Sequence, residues 1–201
     1  MKKFIFILIG GFLISNFSHG QAVDDRAVIP VAVTLSSILR LNVVSGGNIE
    51  FVFNTLADYQ EGIANTTSYD TRFTVASSVD WNVYIYAEDG VLVATDAIGA
   101  AGMPLDNIGY QLSTNGTNED DVLNIPSFAE AVALTDDSDE ILVGYDDTNS
   151  NAGDINANDF TIHWECGTSE GDMNPLSLLE QQLAADRYAT NVFLVLQPHE
   201  D

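Results

Sequence analysis

The sequence predicts an all-β protein, an antiparallel two-sheet sandwich with one or two short helices. Three observations predict it. Apolar residues recur with a period of two, in short runs rich in Val, Ile, Phe and Tyr. Clusters of Asn, Asp, Gly and Ser separate those runs, as turns between strands require. The chain is 46% apolar but holds one cysteine, Cys166, so its fold must rest on a packed core and not on internal disulfides.

The elements follow in order. AVIPVAVTL (27–35), ILRLNV (38–43) and IEFVF (49–53) read as strands, with SGGN (45–48) as the hairpin turn joining the last two. Pro30 lacks an N–H, which confines the first strand to an edge or gives it a break. TRFTVASS (71–78) and DWNVYIYAED (80–89) read as a strand pair. In the second, Trp81, Val83, Ile85 and Ala87 share one face, and Asn82, Tyr84 and Tyr86 the other. VLVA (91–94), IGYQLST (108–114), EILVGYD (140–146), FTIHWECG (160–167) and ATNVFLVLQ (189–197) complete the set. PLSLLEQQLAADR (175–187) carries Leu176, Leu179 and Leu183 at helical spacing behind a first-turn proline, and predicts a short helix between sheets. SFAEAVAL (127–134) predicts a further helical turn. The loops at 54–70 and 94–107 read as decoration on one domain.

Residues 1–20 have basic Lys2 and Lys3, an apolar run from Phe4 to Ile14 and small residues at Ser18 and Gly20. This is the layout of a secretory signal peptide cleaved before Gln21, and the run is too short to cross a bilayer. The expected organisation is therefore a signal peptide at 1–20 and a single sandwich domain at 21–201. The expected location is the periplasm, the cell surface or the exterior, with no transmembrane segment in the mature chain. Both lysines leave with the leader. Arg26, Arg40, Arg72 and Arg187 then stand against 30 acids, a formal charge of −26. Such a surface repels phosphate backbones and anionic lipids, which excludes nucleic acid as a partner.

The closing run DRYATNVFLVLQP (186–198) leads from a tyrosine into an alternating strand, Val192, Leu194 and Leu196, that ends at Pro198. It resembles the "GxY…VxLxLxP" ending of exported bacterial immunoglobulin-like sandwiches, among them fimbrial-type and spore-coat-U-like surface domains. Asp186 stands where those families carry glycine. VTLSSILRLNVVSGGNIEFVF also resembles exported proteins of Bacteroidota. The resemblance implies an immunoglobulin-like sandwich with an envelope or surface role, and implies no catalytic residues. Independently of it, Tyr188 at the entry to a closing strand can bury its ring and tie its hydroxyl to a nearby carbonyl.

The most site-like stretch is DDTNSNAGDINANDF (146–160). Asp147, Asn149 and Asn151, then Asp154, Asn156 and Asp159, set oxygen ligands at the rhythm of a calcium loop. Ala152 is one residue too many before Gly153, and strands flank the loop where calcium loops of this kind run into a helix. The same composition serves a solvated hairpin turn. TNEDDVL (117–123) and TDDSDE (135–140) are further acidic clusters of the sort found on solvated loops. Cys166 and His163 lie three apart on one strand and so face opposite ways, which removes a thiol–imidazole pair. Tyr84 and Tyr86 offer a face for stacking on sugars or on another protein.

These readings converge on an exported, non-catalytic structural or adhesive protein of the envelope, a fibre subunit or an accessory to one. Its partners would be other envelope or surface proteins, or itself, through strand addition by residues 21–35. The alternative is a calcium- or carbohydrate-binding module.

Overall fold

The computed structural model describes residues 29–96, 99, 101–118, 123–125 and 130–200. The expected leader and its expected cleavage point, residues 119–122 of the first acidic cluster and residues 127–129 of the second predicted helical segment lie outside them. Chain contacts divide the protein into two units, 1–35 and 36–201. In the first, residues 29–35 form no strand, although a strand was expected over 27–35. A strand exists only as a member of a ladder, and Pro30 withholds one of the donors a ladder uses.

The second unit is an antiparallel β-sandwich. Its strands are β1 (Leu39–Ser45), β2 (Asp70–Ser77), β3 (Trp81–Ala87), β4 (Val91–Ala94), β5 (Met103–Pro104), β6 (Ile108–Thr114), β7 (Leu123–Asn124), β8 (Val132–Ala133), β9 (Ile141–Tyr145), β10 (Asp159–Cys166), β11 (Tyr188–Ala189) and β12 (Val192–Pro198). One sheet is ordered β1-β2-β10-β6-β8 and the other β12-β3-β9-β7, with a small third sheet β11-β4-β5. The period-two pattern places Phe73, Val75, Phe160 and Ile162 inward from the first sheet, and Trp81, Val83 and Ile85 inward from the second. All are buried, and the Trp81 and Phe160 rings meet edge-on at 6.1 Å across the core.

Most strand positions follow the sequence pattern; the pairings do not. β2 and β3, expected as a pair, lie in different sheets, as do β9 and β10. The 146–158 loop is therefore a sheet-to-sheet connection and not a hairpin turn. Residues 49–53 form no strand either. Gly46 adopts φ +69°, and its carbonyl accepts from Thr71 Oγ1 at 2.6 Å. An added Cβ there would lie 1.9 Å from the Asp70 carbonyl oxygen, so this close approach needs glycine. The chain is thus pinned at the start of β2, β1 pairs with β2, and Ile49, Phe51 and Phe53 lie against the core without a ladder.

The helix expected at 175–187 is absent. Ser177 and Glu180 close a turn (Oγ to Oε2 2.8 Å), Gln182 takes φ +54°, and Gln181 Nε2 reaches Asn107 Oδ1 at 2.6 Å. Side-chain bonds hold this segment, and Leu178 is buried while Leu176 and Leu179 stay exposed. A helix does form at α1 (Leu56–Glu61), inside the 54–70 loop read as decoration. Thr55 and Asp58 cap it reciprocally: the Asp58 amide donates to Thr55 Oγ1 (3.2 Å), and the Thr55 amide to Asp58 Oδ2 (2.8 Å). Val132–Ala133, within the segment read as a helical turn, is strand β8. Among the described residues no helix is long and apolar enough to cross a membrane.

Candidate functional site

The acidic loop is folded by the side chains that made it look like a ligand set. Asn151 is wholly buried. Its Oδ1 accepts from the Trp81 amide at 3.1 Å, and its Nδ2 donates to the Trp81 carbonyl at 2.9 Å. The indole Nε1 of Trp81 in turn donates to the Asn151 carbonyl at 2.9 Å. Asn151 thus acts as a strand partner for the start of β3. Gly153 exchanges two backbone bonds of 2.9 Å with Ser77. Asp154 Oδ1 accepts from the amides of Asn156 (2.9 Å) and Ala157 (3.1 Å), and the Asn156 amide group donates back to Asp154 Oδ2 (3.0 Å). The bond from the Ala157 amide leads those that hold the Asp154 carboxyl below its usual range.

Asp159 lies on β10, where both of its oxygens take the Arg72 guanidinium, Nε at 2.9 Å. That hydrogen-bonded pair lowers its carboxyl most. Asp147 is exposed, in the left-handed region at φ +64°, with His199 Nε2 3.4 Å away. Asn149 is exposed; its amide donates to Asp146 Oδ1 at 3.2 Å. Of the six predicted ligands, the structure joins Asp154 to Asn156 and engages Asn151 and Asp159 elsewhere. Among the described residues no three His, Cys, Asp or Glu side chains stand close enough to share a metal ion.

The sandwich has a second feature, which the sequence reading passed over. A cleft of about 660 Å³ opens beside the edge strands of both large sheets, β1 and β12. Register identifies the inward residues of each edge. Leu41 and Val43 of β1 oppose Val75 and Phe73, and Val192, Leu194 and Leu196 of β12 oppose Ala87, Ile85 and Val83. The opposing residues are at most 2% exposed, yet Val43 is 44% and Val192 36% exposed. Val43, Val192 and Leu194 border the cleft, Phe51 and Phe53 line it too, and the core residues Trp164 and Cys166 reach it. Both flanking edges keep one row of ladder groups with no strand beside it, among the described residues. This arrangement can receive one extended segment, by backbone pairing at an edge and apolar burial below.

The other candidates resolve simply. Tyr84 and Tyr86 are half-buried, and Tyr86 packs on Phe193 of β12 with ring centres 5.4 Å apart. Tyr188 donates its hydroxyl to the Ala184 carbonyl at 2.8 Å, the expected tie at the entry to the closing strands. Cys166 is buried, which pushes its thiol up to about 12, and it faces away from His163. His163 has partners on its own side of the sheet. Nδ1 lies 2.7 Å from Asp70 Oδ1 on β2, and Nε2 lies 2.8 Å from Ser113 Oγ on β6. Sequence spacing hides such a relay, since its members are brought together by strand order alone. Glu165, further along β10, is 1% exposed with no hydrogen-bond partner at Oε1, and burial raises its carboxyl. No protein-family model matches the chain, and no curated protein matches it.

Proposed function

We propose that the protein is an exported structural or adhesive component of the cell envelope, and that one copy binds another by strand addition. The added strand is the segment containing residues 29–35, and its receptor is the cleft between β1 and β12. The observation that carries this reading is the under-covered inward face of the two edge strands, Val43 and Val192 above all. The donor suits it in pattern and in length. Ile29, Val31, Val33 and Leu35 alternate, are 78–89% exposed, and lie on one face of an extended chain. Seven residues span about 23 Å, the reach of a seven-residue edge strand such as β1 or β12. Pro30 falls near the start of the donor, where a missing N–H costs least. Each apolar side chain moved from water into such a cleft contributes about 1.5–3 kcal/mol, enough in sum to outweigh the ordering of a short segment.

The test is the oligomeric state of residues 21–201. Concentration-dependent self-association is expected by light scattering. It should vanish when residues 21–35 are removed and also in the double variant Val31→Asp, Val33→Asp, with strand content unchanged by circular dichroism. A wild-type chain that stays monomeric to high concentration, alone and with a 27–35 peptide, sinks the proposal.

A further inference from the structure

The outer face of the five-stranded sheet carries three side chains in one hydrogen-bonded line across three adjacent strands. β10 lies between β2 and β6. His163 stands opposite Asp70 on one side, and Ser113 lies one rung along on the other, opposite Thr161. The distances are 2.7 Å from Asp70 Oδ1 to His163 Nδ1 and 2.8 Å from His163 Nε2 to Ser113 Oγ. When the carboxylate is ionised and the imidazole neutral, the ring proton must sit on Nδ1, because a carboxylate only accepts hydrogen bonds. Nε2 then keeps its lone pair, and the serine hydroxyl donates to it. This order and polarity define a general base poised on a nucleophile, recognised by geometry and not by sequence position.

The surroundings set what such a centre can take. His163 and Asp70 side chains are 32% and 21% exposed, so solvent reaches the relay through a partial opening between the buried Thr161 and Glu165 of the same strand face. The strongly acidic chain, formal charge −24 overall, repels anionic substrates. Two neighbouring side-chain amides are committed, Asn115 Nδ2 to Thr161 Oγ1 at 2.8 Å and Asn65 Nδ2 to Gln111 Oε1 at 3.0 Å. Each preorganised donor missing from an oxyanion hole costs roughly 10²–10³-fold in rate, so a centre with these two donors engaged is expected to be slow.

We propose that Ser113, His163 and Asp70 form an acyl-transfer centre for small, uncharged, activated carboxylic esters, independent of the assembly reading. Ser113 Oγ bonds to the acyl carbon as its proton passes to His163 Nε2. The alcohol leaves with that proton, and Ser113 carries the acyl group. Water then attacks the acyl-serine by the same route, releasing the carboxylic acid and restoring the hydroxyl. Ser113 and His163 are the catalytic residues, and Asp70 is a positioning residue that holds the ring in the required tautomer.

The experiment treats the folded 21–201 chain with a fluorophosphonate and separately with p-nitrophenyl acetate, and maps adducts by mass spectrometry. A single adduct on Ser113 is expected, absent from Ser113→Ala and from the urea-unfolded chain. His163→Gln should slow labelling at least tenfold. Asp70→Asn should slow it similarly with little change in melting temperature, and Asp70→Glu should recover part of the rate. No adduct on Ser113 in the folded chain overturns the proposal. So does labelling that survives unfolding or is indifferent to His163→Gln. If a variant fails to fold, the folded and unfolded wild-type chains still decide between these outcomes.

Discussion

The 146–159 loop and the cleft between β1 and β12 invert what their sequences suggest. The loop is dense in carboxylates and amides and looks open to a ligand, yet Asn151, Asp154 and Asp159 are spent on the protein's own backbone and on Arg72. The edge strands read as ordinary strands, yet they leave Val43 and Val192 44% and 36% exposed on their inward side. Local composition reports what a side chain can bond to, and topology decides whether that capacity is already used. A buried polar atom with two partners has nothing to offer a ligand, whereas an inward apolar residue at an unpaired edge still has area to bury.

The sharpest way to break the contrast is Asn151→Ala. It removes both bonds to the buried Trp81 backbone, and leaving those two groups unpaired costs about 3 kcal/mol by the usual penalty for such groups. Chemical denaturation should show that loss, along with a weaker hold of the loop in hydrogen exchange at Trp81. An effect below about 1 kcal/mol would mean the loop is a passive turn, carrying only the small penalty typical of surface substitutions.

Glu165→Gln tests a smaller imbalance on the same strand as Asp159. The wild-type carboxyl is buried with its own Oε1 unpartnered, and burial first, then the charge of Glu170, raises its pKa. A raised carboxyl in the folded state means folding is favoured when the group is protonated. That stability is present below the unfolded value near 4.5 and is lost as pH rises through the folded one. Glutamine is neutral throughout and buries no charge, so the variant should exceed wild type by about 1–2 kcal/mol at pH 7, at the low end of the penalty for a buried charged group left incompletely paired. The two should converge near pH 4. A gain that persists unchanged to pH 4 would assign it to packing and not to charge.

Most of the sandwich was legible in the sequence because alternation is local. Trp81, Val83, Ile85 and Ala87 are buried as their spacing demands, and Tyr188 makes the tie its position suggested. What alternation cannot carry is pairing. β2 and β3 are consecutive yet lie in different sheets, and Ile49, Phe51 and Phe53 alternate without a ladder because Gly46 pins the chain elsewhere. The leucines of 175–187 have helical spacing, but side-chain bonds from Ser177 and Gln181 fix turns instead. The candidate sites were less legible still. The cleft needs both sheet orders, and the Ser113–His163–Asp70 line needs three strands brought side by side from 43 to 93 residues apart in the chain.

The smallest effect falls on the loop residue that keeps its side chain outside. Asp147 is 79% exposed, makes its contact with His199 at 3.4 Å, and sits in a backbone region that asparagine tolerates as well as aspartate does. Asp147→Asn should change stability by less than about 0.5 kcal/mol, as exposed ion pairs commonly do. The informative arm is calcium. A cation clamped by this loop must stabilise the native state, so millimolar calcium would raise the wild-type melting temperature and Asp147→Asn would blunt the rise. With Asn151 bonded to Trp81 and Asp159 to Arg72, the expected result is equal melting temperatures with calcium and with chelator, in both proteins. A calcium shift lost on Asp147→Asn would show that the loop can release those partners. It would also remove the contrast between a closed polar loop and an open cleft at the sheet edges.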